Sequence, residues 1–203
     1  MQDLGKLVLR LTVGTLMAGH GAQKLFGWFG GPGLKGTHGM MESLGMRPGR
    51  VWGTMAALTE FNGGVLTALG FLNPLGPLNI GASMTVAIRR VHWNKPIWNM
   101  QGGAEFPLTN LAVALSLTLM GPGRYSLDRL FGIRLPRWFA ALAWIGTIGT
   151  TVAALQRPEI AETVLEKATS VLPTRSVSST SDPTIEVETR PRAEEPQEVP
   201  STL

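Results

Sequence analysis

The stretch VWGTMAALTEFNGGVLTALGF, residues 51–71, decides the fold class, because Glu60 is its only charged residue. A helix of about 20 mainly apolar residues crosses the roughly 30 Å hydrocarbon layer of a membrane. A surface helix in a soluble bundle would instead carry a charged face at a period of 3.6 residues. Residues 51–71 have no such face, so they predict a helix that spans a membrane.

Four further segments have the same apolar character. They are residues 4–26, 75–88, 106–123 and 138–155. The helix at 75–88 can extend through Arg89, Arg90 and His92 if these side chains snorkel to the surface. Arg10 interrupts the apolar run that a cleaved signal peptide would need, so we expect the first segment to be a span. The fold prediction is all-α: a polytopic membrane helix bundle of four helices plus a fifth transmembrane helix.

The charge divides the chain into two parts. Residues 1–155 hold five acids and thirteen bases, a net charge of +8, whereas residues 156–203 hold nine acids and five bases, a net charge of −4. The bases lie singly or in pairs, which suits loops beside anionic lipid headgroups better than a nucleic-acid interface. We therefore predict the lipid bilayer, and no nucleic acid, as a partner.

The C-terminal tail is rich in Pro, Ser, Thr and Glu. Such a composition has too few large apolar residues to offset the entropy lost on ordering. We predict three regions: a membrane domain at 1–135, a fifth transmembrane helix at 136–156, and a largely disordered acidic tail at 157–203.

The sequence contains no cysteine. This excludes disulfides, thiolate catalysis and cysteine-ligated metal or iron–sulfur sites within this chain. Redox chemistry would therefore need a bound cofactor or another subunit, and we predict no metal site.

Polar residues in or beside the spans cluster towards one membrane face. Glu60 lies nine residues after Val51, about 13 Å from that face at 1.5 Å per residue, and His20 has a similar depth. A contact of His20 or Lys24 with Glu60 is therefore possible. The candidate polar pocket consists of His20, Gln23, Lys24, Glu60, Arg89, His92 and Glu105.

Two interpretations of Glu60 stay open. A charge within a membrane usually has a partner or faces a wet cavity, so Glu60 either forms a structural pair or serves a proton, an ion or a ligand. His20 fits a quinone contact or an ordinary interhelical hydrogen bond. Haem held by His20 and His92 is disfavoured, because no other residues specify its pocket. His38 lies in a Gly-rich loop, where we expect solvent around it.

Lys and Arg near the span ends predict the orientation, because they favour the cytoplasmic side. Ten lie on the side of the tail: Lys24, Lys35, Arg47, Arg50, Arg89, Arg90, Lys95, Arg157, Lys167 and Arg175. Six lie on the opposite side: Lys6, Arg10, Arg124, Arg129, Arg134 and Arg137. The count predicts an N-terminus outside and a cytoplasmic tail.

Five motifs follow one another along the first two thirds of the chain. They are GHGAQKLFG at 19–27, TEFNGG at 59–64, RRVHW at 89–93, GGAEFP at 102–107 and GPGRYSLD at 121–128. Taken together, they make residues 4–131 resemble the DoxX family of small bacterial membrane proteins. The shared polar positions are His20, Gln23, Lys24, Glu60, His92, Gly103, Glu105 and Pro107, and the resemblance gives none of them a catalytic role.

The resemblance implies a four-helix membrane domain in the bacterial plasma membrane. The family is named after a subunit of a thiosulfate–quinone oxidoreductase, while a wider superfamily includes a eukaryotic cargo receptor, so the fold alone does not fix the function. The fifth apolar segment and the acidic tail depart from the family pattern. Both departures bear on the number of spans and on the sidedness.

Three functions remain open. The first is the membrane subunit of a quinone-linked redox complex, whose catalytic partners are other, soluble chains. The second is a non-enzymatic scaffold or receptor that holds soluble partners at the membrane, which the long acidic tail and the basic Gly-rich first loop support. The third is a transporter of protons or a small solute through the polar pocket.

Overall fold

Seven α-helices make up the part of the chain from residue 1 to residue 156. The computed structural model describes residues 1–156 and residue 163. The helices are α1 (Gln2–Phe26), α2 (Gly33–Ser43), α3 (Gly49–Leu69), α4 (Leu75–Ala87), α5 (Glu105–Met120), α6 (Leu127–Phe131) and α7 (Arg137–Gln156). Every regular element in these residues is helical, with short 3₁₀ and π turns beside the α-helices. The predicted all-α class is confirmed.

The five predicted spans coincide with α1, α3, α4, α5 and α7. Among the described residues, Trp138–Gln156 is long and apolar enough to cross a membrane by its own length and composition. Glu105–Met120 is apolar but shorter. The helices are therefore where the sequence puts them, and the number of crossings stays a prediction.

The Gly-rich segment after α1 differs from its predicted loop, because residues 33–43 form α2. Thr37 is buried there and donates a hydrogen bond to the carbonyl oxygen of Gly33 at 2.8 Å. His38 is half-buried, with Nε2 3.0 Å from Thr54 Oγ1 on α3. The prediction of a solvated His38 in a loop is wrong. Packing against α3 offsets the low helix propensity of glycine, so the segment forms a helix and His38 lies between this helix and α3.

Small residues allow α1 and α3 to pack closely. A Cβ atom built on Gly64 would lie 2.2 Å from the backbone nitrogen of Ala18, and one on Gly21 would lie 2.3 Å from that of Phe61. On the neighbouring position of α3, a Cβ on Gly63 would lie 2.7 Å from Asn79 Cβ of α4. The adjacent glycines therefore let α3 lie between α1 and α4, as expected for small residues at helix interfaces.

Trp144 fixes α7 against the rest of the bundle. Its indole lies over Gly81 of α4, where a Cβ would be 2.3 Å from the ring, and its Nε1 donates to Thr118 Oγ1 of α5 at 2.8 Å. Trp144 belongs to a buried apolar cluster with Met17, Leu78, Ile80 and Met84. The predicted disordered tail, 157–203, lies outside the described residues apart from residue 163, and the three-region division stays a prediction.

Candidate functional site

A buried polar cluster joins α1, α3 and α4. Lys24 Nζ, on the last turn of α1, forms an ion pair with Glu60 Oε1 in the middle of α3. Ser83 of α4 donates from its hydroxyl to the same oxygen at 2.7 Å. Glu60 is 5% exposed, so its charge is removed from solvent and is compensated by two donors on neighbouring helices.

The second carboxylate oxygen of Glu60 has no hydrogen-bond partner in the described part of the chain. Oε2 is buried, while Lys24 and Ser83 both approach Oε1. Buried polar atoms are nearly always paired, and leaving one unpaired costs about 1–3 kcal/mol. An acceptor in this position is therefore suited to a ligand that supplies a donor.

Glu60, Lys24 and Ser83 line a cavity of about 320 Å³, which we call the methionine cavity. Its other walls come from α2, α3, α4 and α7 and are mostly apolar. They include Met40, Met41, Met46, Met55, Trp52 and Leu155. Small-molecule sites are typically clefts of about 300–1,000 Å³ with apolar walls and a few placed polar groups, and the methionine cavity has this form.

His20 and Gln23 lie apart from this cluster near the end of α1, where His20 is exposed and Gln23 is half-buried. His20 Nδ1 is 3.1 Å from Gln23 Oε1, and the His20 ring packs edge-on against Phe106 with the ring centres 6.3 Å apart. Of the two residues predicted to be able to reach Glu60, the structure brings Lys24 to it. His20 lies one helical turn before Lys24, where it is exposed and its ring contacts Phe106 of α5 instead.

The remaining candidates make local contacts around the segment 88–105. The guanidinium of Arg89 lies 5.2 Å from the centre of the Trp93 ring. His92 donates from Nδ1 to the carbonyl oxygen of Gly102 at 2.6 Å, and Glu105 Oε2 accepts from the backbone N–H of Asn99 at 2.9 Å. These bonds shape the connection between α4 and α5, so the seven candidates form three local groups. Their grouping as one functional pocket stays a prediction.

Arg90 holds α7 in place beside the methionine cavity. It donates to the carbonyl oxygen of Leu155, near the end of α7, and Leu155 itself lines the cavity. The sequence pattern predicts only that Arg90 snorkels to the surface and contributes to the orientation. Its partner is 65 residues away in the chain, so no local spacing could have revealed the contact.

A second buried polar group lies where α1 approaches the α5–α6 connection. Arg10 is 4% exposed and donates to the carbonyl oxygens of Pro122, Tyr125 and Ala68. Asp128 accepts the backbone N–H groups of Leu72 and Asn73 at 2.7 and 2.8 Å. These bonds tie the start of α1 and the α5–α6 connection to the end of α3, which sequence reasoning missed because Arg10 appeared only as a break in an apolar run.

Comparison with known proteins identifies the N-terminal part of the chain. Residues 5–93 match the family model DoxX. These residues are a DoxX domain. The family predicted from the motifs is thus confirmed over this segment, and a DoxX domain is typical of membrane proteins. Neither the curated proteins nor the solved structures give a match to this chain.

The DoxX match contains part of the methionine cavity. Lys24, Glu60 and Ser83 lie within residues 5–93, whereas the α7 wall, with Thr150, Thr151 and Leu155, lies beyond them. The polar end of the cavity therefore belongs to the DoxX domain, and α7 completes its apolar side.

Proposed function

We propose that this protein is a multi-pass plasma-membrane protein, the membrane subunit of a quinone-linked redox complex, and that it binds a quinol in the methionine cavity. The observation that carries the proposal is Glu60, which lines an apolar cavity of about 320 Å³ and whose buried Oε2 has no hydrogen-bond partner within the described residues. A quinol combines an apolar ring with hydroxyl groups that donate hydrogen bonds.

The helix surfaces support several membrane crossings. Large apolar side chains are exposed along α1, α5 and α7: Leu4, Val8, Leu11, Leu16, Leu108, Leu115, Leu119, Leu142, Ile145 and Val152. Soluble monomers rarely expose contiguous apolar patches beyond a few hundred Å². Lipid contact explains such surfaces on helices that also match the predicted spans.

The side chains of the cavity suit the proposed ligand. Lys24 and Ser83 hold Glu60 Oε1, which leaves Oε2 to accept the hydroxyl of the quinol. Methionine sulfurs pack favourably against aromatic rings, and four methionines line this cavity. Interconversion of quinol and quinone moves two electrons and two protons. On oxidation of the quinol, the Glu60 carboxylate can accept one of the two protons, and the redox partner in the proposed complex accepts the two electrons and the second proton.

Anaerobic equilibrium dialysis of the full chain in nanodiscs tests the proposal. The probes are 2,3-dimethyl-1,4-naphthoquinone and its reduced quinol. We expect the quinol to bind more tightly than the quinone, and Glu60→Gln to lower the quinol affinity about tenfold, since hydrogen bonds to charged groups contribute about 1.5–3 kcal/mol. Glu42→Gln, an exposed position on α2, is the matched control and should leave both affinities unchanged.

Two outcomes would overturn the quinol assignment. One is binding of neither form, and the other is an equal loss in the Glu60 and Glu42 variants. The role in a complex is tested separately by mass spectrometry of the proteins and quinones that copurify in mild detergent, where the absence of both a redox partner and a quinone argues against it. The scaffold alternative rests on the acidic tail, most of which lies outside the described residues, and on the basic Gly-rich segment after α1, which forms α2. The transport alternative has no specific support in the cavity.

A further inference from the structure

Three arginines line a small pocket remote in sequence from the DoxX domain. Arg124, Arg129 and Arg134 surround a cavity of about 260 Å³ beside Asp3 at the start of α1, and we call it the arginine pocket. Arg124 precedes α6, Arg129 lies on it, and Arg134 follows it. All three side chains belong to exposed residues.

The acids beside this pocket are already engaged. Asp3 pairs with Lys6 at 3.6 Å and accepts the backbone N–H of Arg124 at 3.3 Å. Asp128 accepts two backbone N–H groups and faces the buried charge of Arg10. Within the described residues, the guanidinium groups of the three arginines form neither ion pairs nor hydrogen bonds. The pocket therefore carries an excess of positive charge with free donors.

Large exposed apolar side chains lie on the same short helix as Arg129 and at the start of the next helix. Leu130 and Phe131 of α6 are 73% and 65% exposed, and Trp138 at the start of α7 is 66% exposed. Aromatic residues with one apolar and one polar side concentrate at the membrane–water interface. Arginines beside exposed apolar side chains match a molecule that is anionic at one end and apolar at the other.

We propose that the arginine pocket binds the phosphate of an anionic phospholipid. Arginine recognises phosphate through two parallel N–H donors, and its charge is weakly hydrated, so it binds phosphate more readily than lysine does at such sites. The acyl chains lie against Leu130 and Phe131. The bound lipid links α6 to the start of α7, and this site is independent of the methionine cavity.

Native mass spectrometry of the full chain tests the site, with phosphatidylglycerol as the probe and phosphatidylcholine as its uncharged counterpart. We expect phosphatidylglycerol to bind preferentially, and the double variant R129Q/R134Q to lower its affinity at least tenfold, because each basic residue contributes measurably to anionic-lipid binding. The control R47Q/R50Q removes two exposed arginines far along the chain and should leave the affinity within about twofold of the wild type.

Three outcomes would overturn the proposal. Equal losses in the two double variants would indicate unspecific attraction, and no preference for phosphatidylglycerol would remove the anionic lipid as the ligand. Competition by inorganic phosphate at equal concentration would indicate a site for free phosphate. If R129Q/R134Q fails to fold, R129K/R134K retains the charge, and its affinity should still fall because lysine lacks the paired donors of arginine.

Discussion

Glu60 shows how a charge is tolerated in the middle of an apolar helix. Its partners, Lys24 and Ser83, come from two other helices and converge on one carboxylate oxygen. Removing one member of a buried ion pair typically costs about 3–5 kcal/mol, since the other charge stays buried alone, whereas removing both is often far less costly. The stability of this cluster is therefore a property of the pair.

The first stability prediction concerns Lys24. Lys24→Met should lower the free energy of unfolding by about 3 kcal/mol, at the lower end of that range because 22% of the Lys24 side chain remains exposed. The double variant K24M/E60M should recover at least ~1 kcal/mol of this loss. Denaturant unfolding of the wild type, K24M, E60M and K24M/E60M in detergent, analysed as a double-mutant cycle, measures both values. Additive losses would show that the two charges do not stabilise each other.

At the scale of the element, the close packing of α1 and α3 depends on glycine. Gly64 faces the backbone of Ala18, whereas Gly19, on the same helix as Ala18, has nothing within 4 Å of the position of a Cβ atom. A methyl group on Gly64 must push the helices apart. A methyl group on Gly19 meets no neighbour and only lowers the conformational entropy of the unfolded chain. The two glycines therefore play opposite parts in the stability of the bundle.

This contrast predicts opposite signs for one chemical change. Gly64→Ala should destabilise the protein by about 1–3 kcal/mol through overpacking. Gly19→Ala should stabilise it by about 0.5–1 kcal/mol, because alanine favours the helix over glycine. Unfolding midpoints in detergent compare the two variants directly. A loss of equal size at both positions would mean that the backbone of α1 does not approach α3 at Gly64.

Across the whole molecule, the methionine cavity exists only because residues far apart in the chain meet. Its polar end comes from the DoxX domain and its far wall from α7, which Trp144 and Arg90 attach to the bundle. Five crossings would put α2 and the α4–α5 connection on one side of the membrane, and α6 on the other. The charge count assigns the first side to the cytoplasm.

Single cysteines test this topology cleanly, because the natural chain has none. We expect a membrane-impermeant maleimide to label Arg124→Cys in intact cells, and to label Lys35→Cys and Lys95→Cys only after permeabilisation. All three positions are exposed, so access to the reagent depends on sidedness. Labelling of Lys35→Cys and Arg124→Cys from the same side would contradict five crossings.

The sequence by itself determined the positions of the long helices, because an uncharged run of about 20 residues and the Gly or Pro residues around it are local signals. It also determined the family of residues 5–93, since the motifs are local too. It missed α2, where packing against α3 overrides the low helix propensity of three glycines.

Only the tertiary structure decided which polar residues meet. Depth along the helices made both His20 and Lys24 candidates for Glu60, but depth leaves open how each helix is rotated about its axis. The packing of α1 against α3 at the glycines brings Lys24 to Glu60, while His20, one helical turn earlier, contacts Phe106 of α5. Ser83, Arg10 and Asp128 acquire their partners in the same way, from side chains that lie far apart in the chain and become neighbours only when the helices pack.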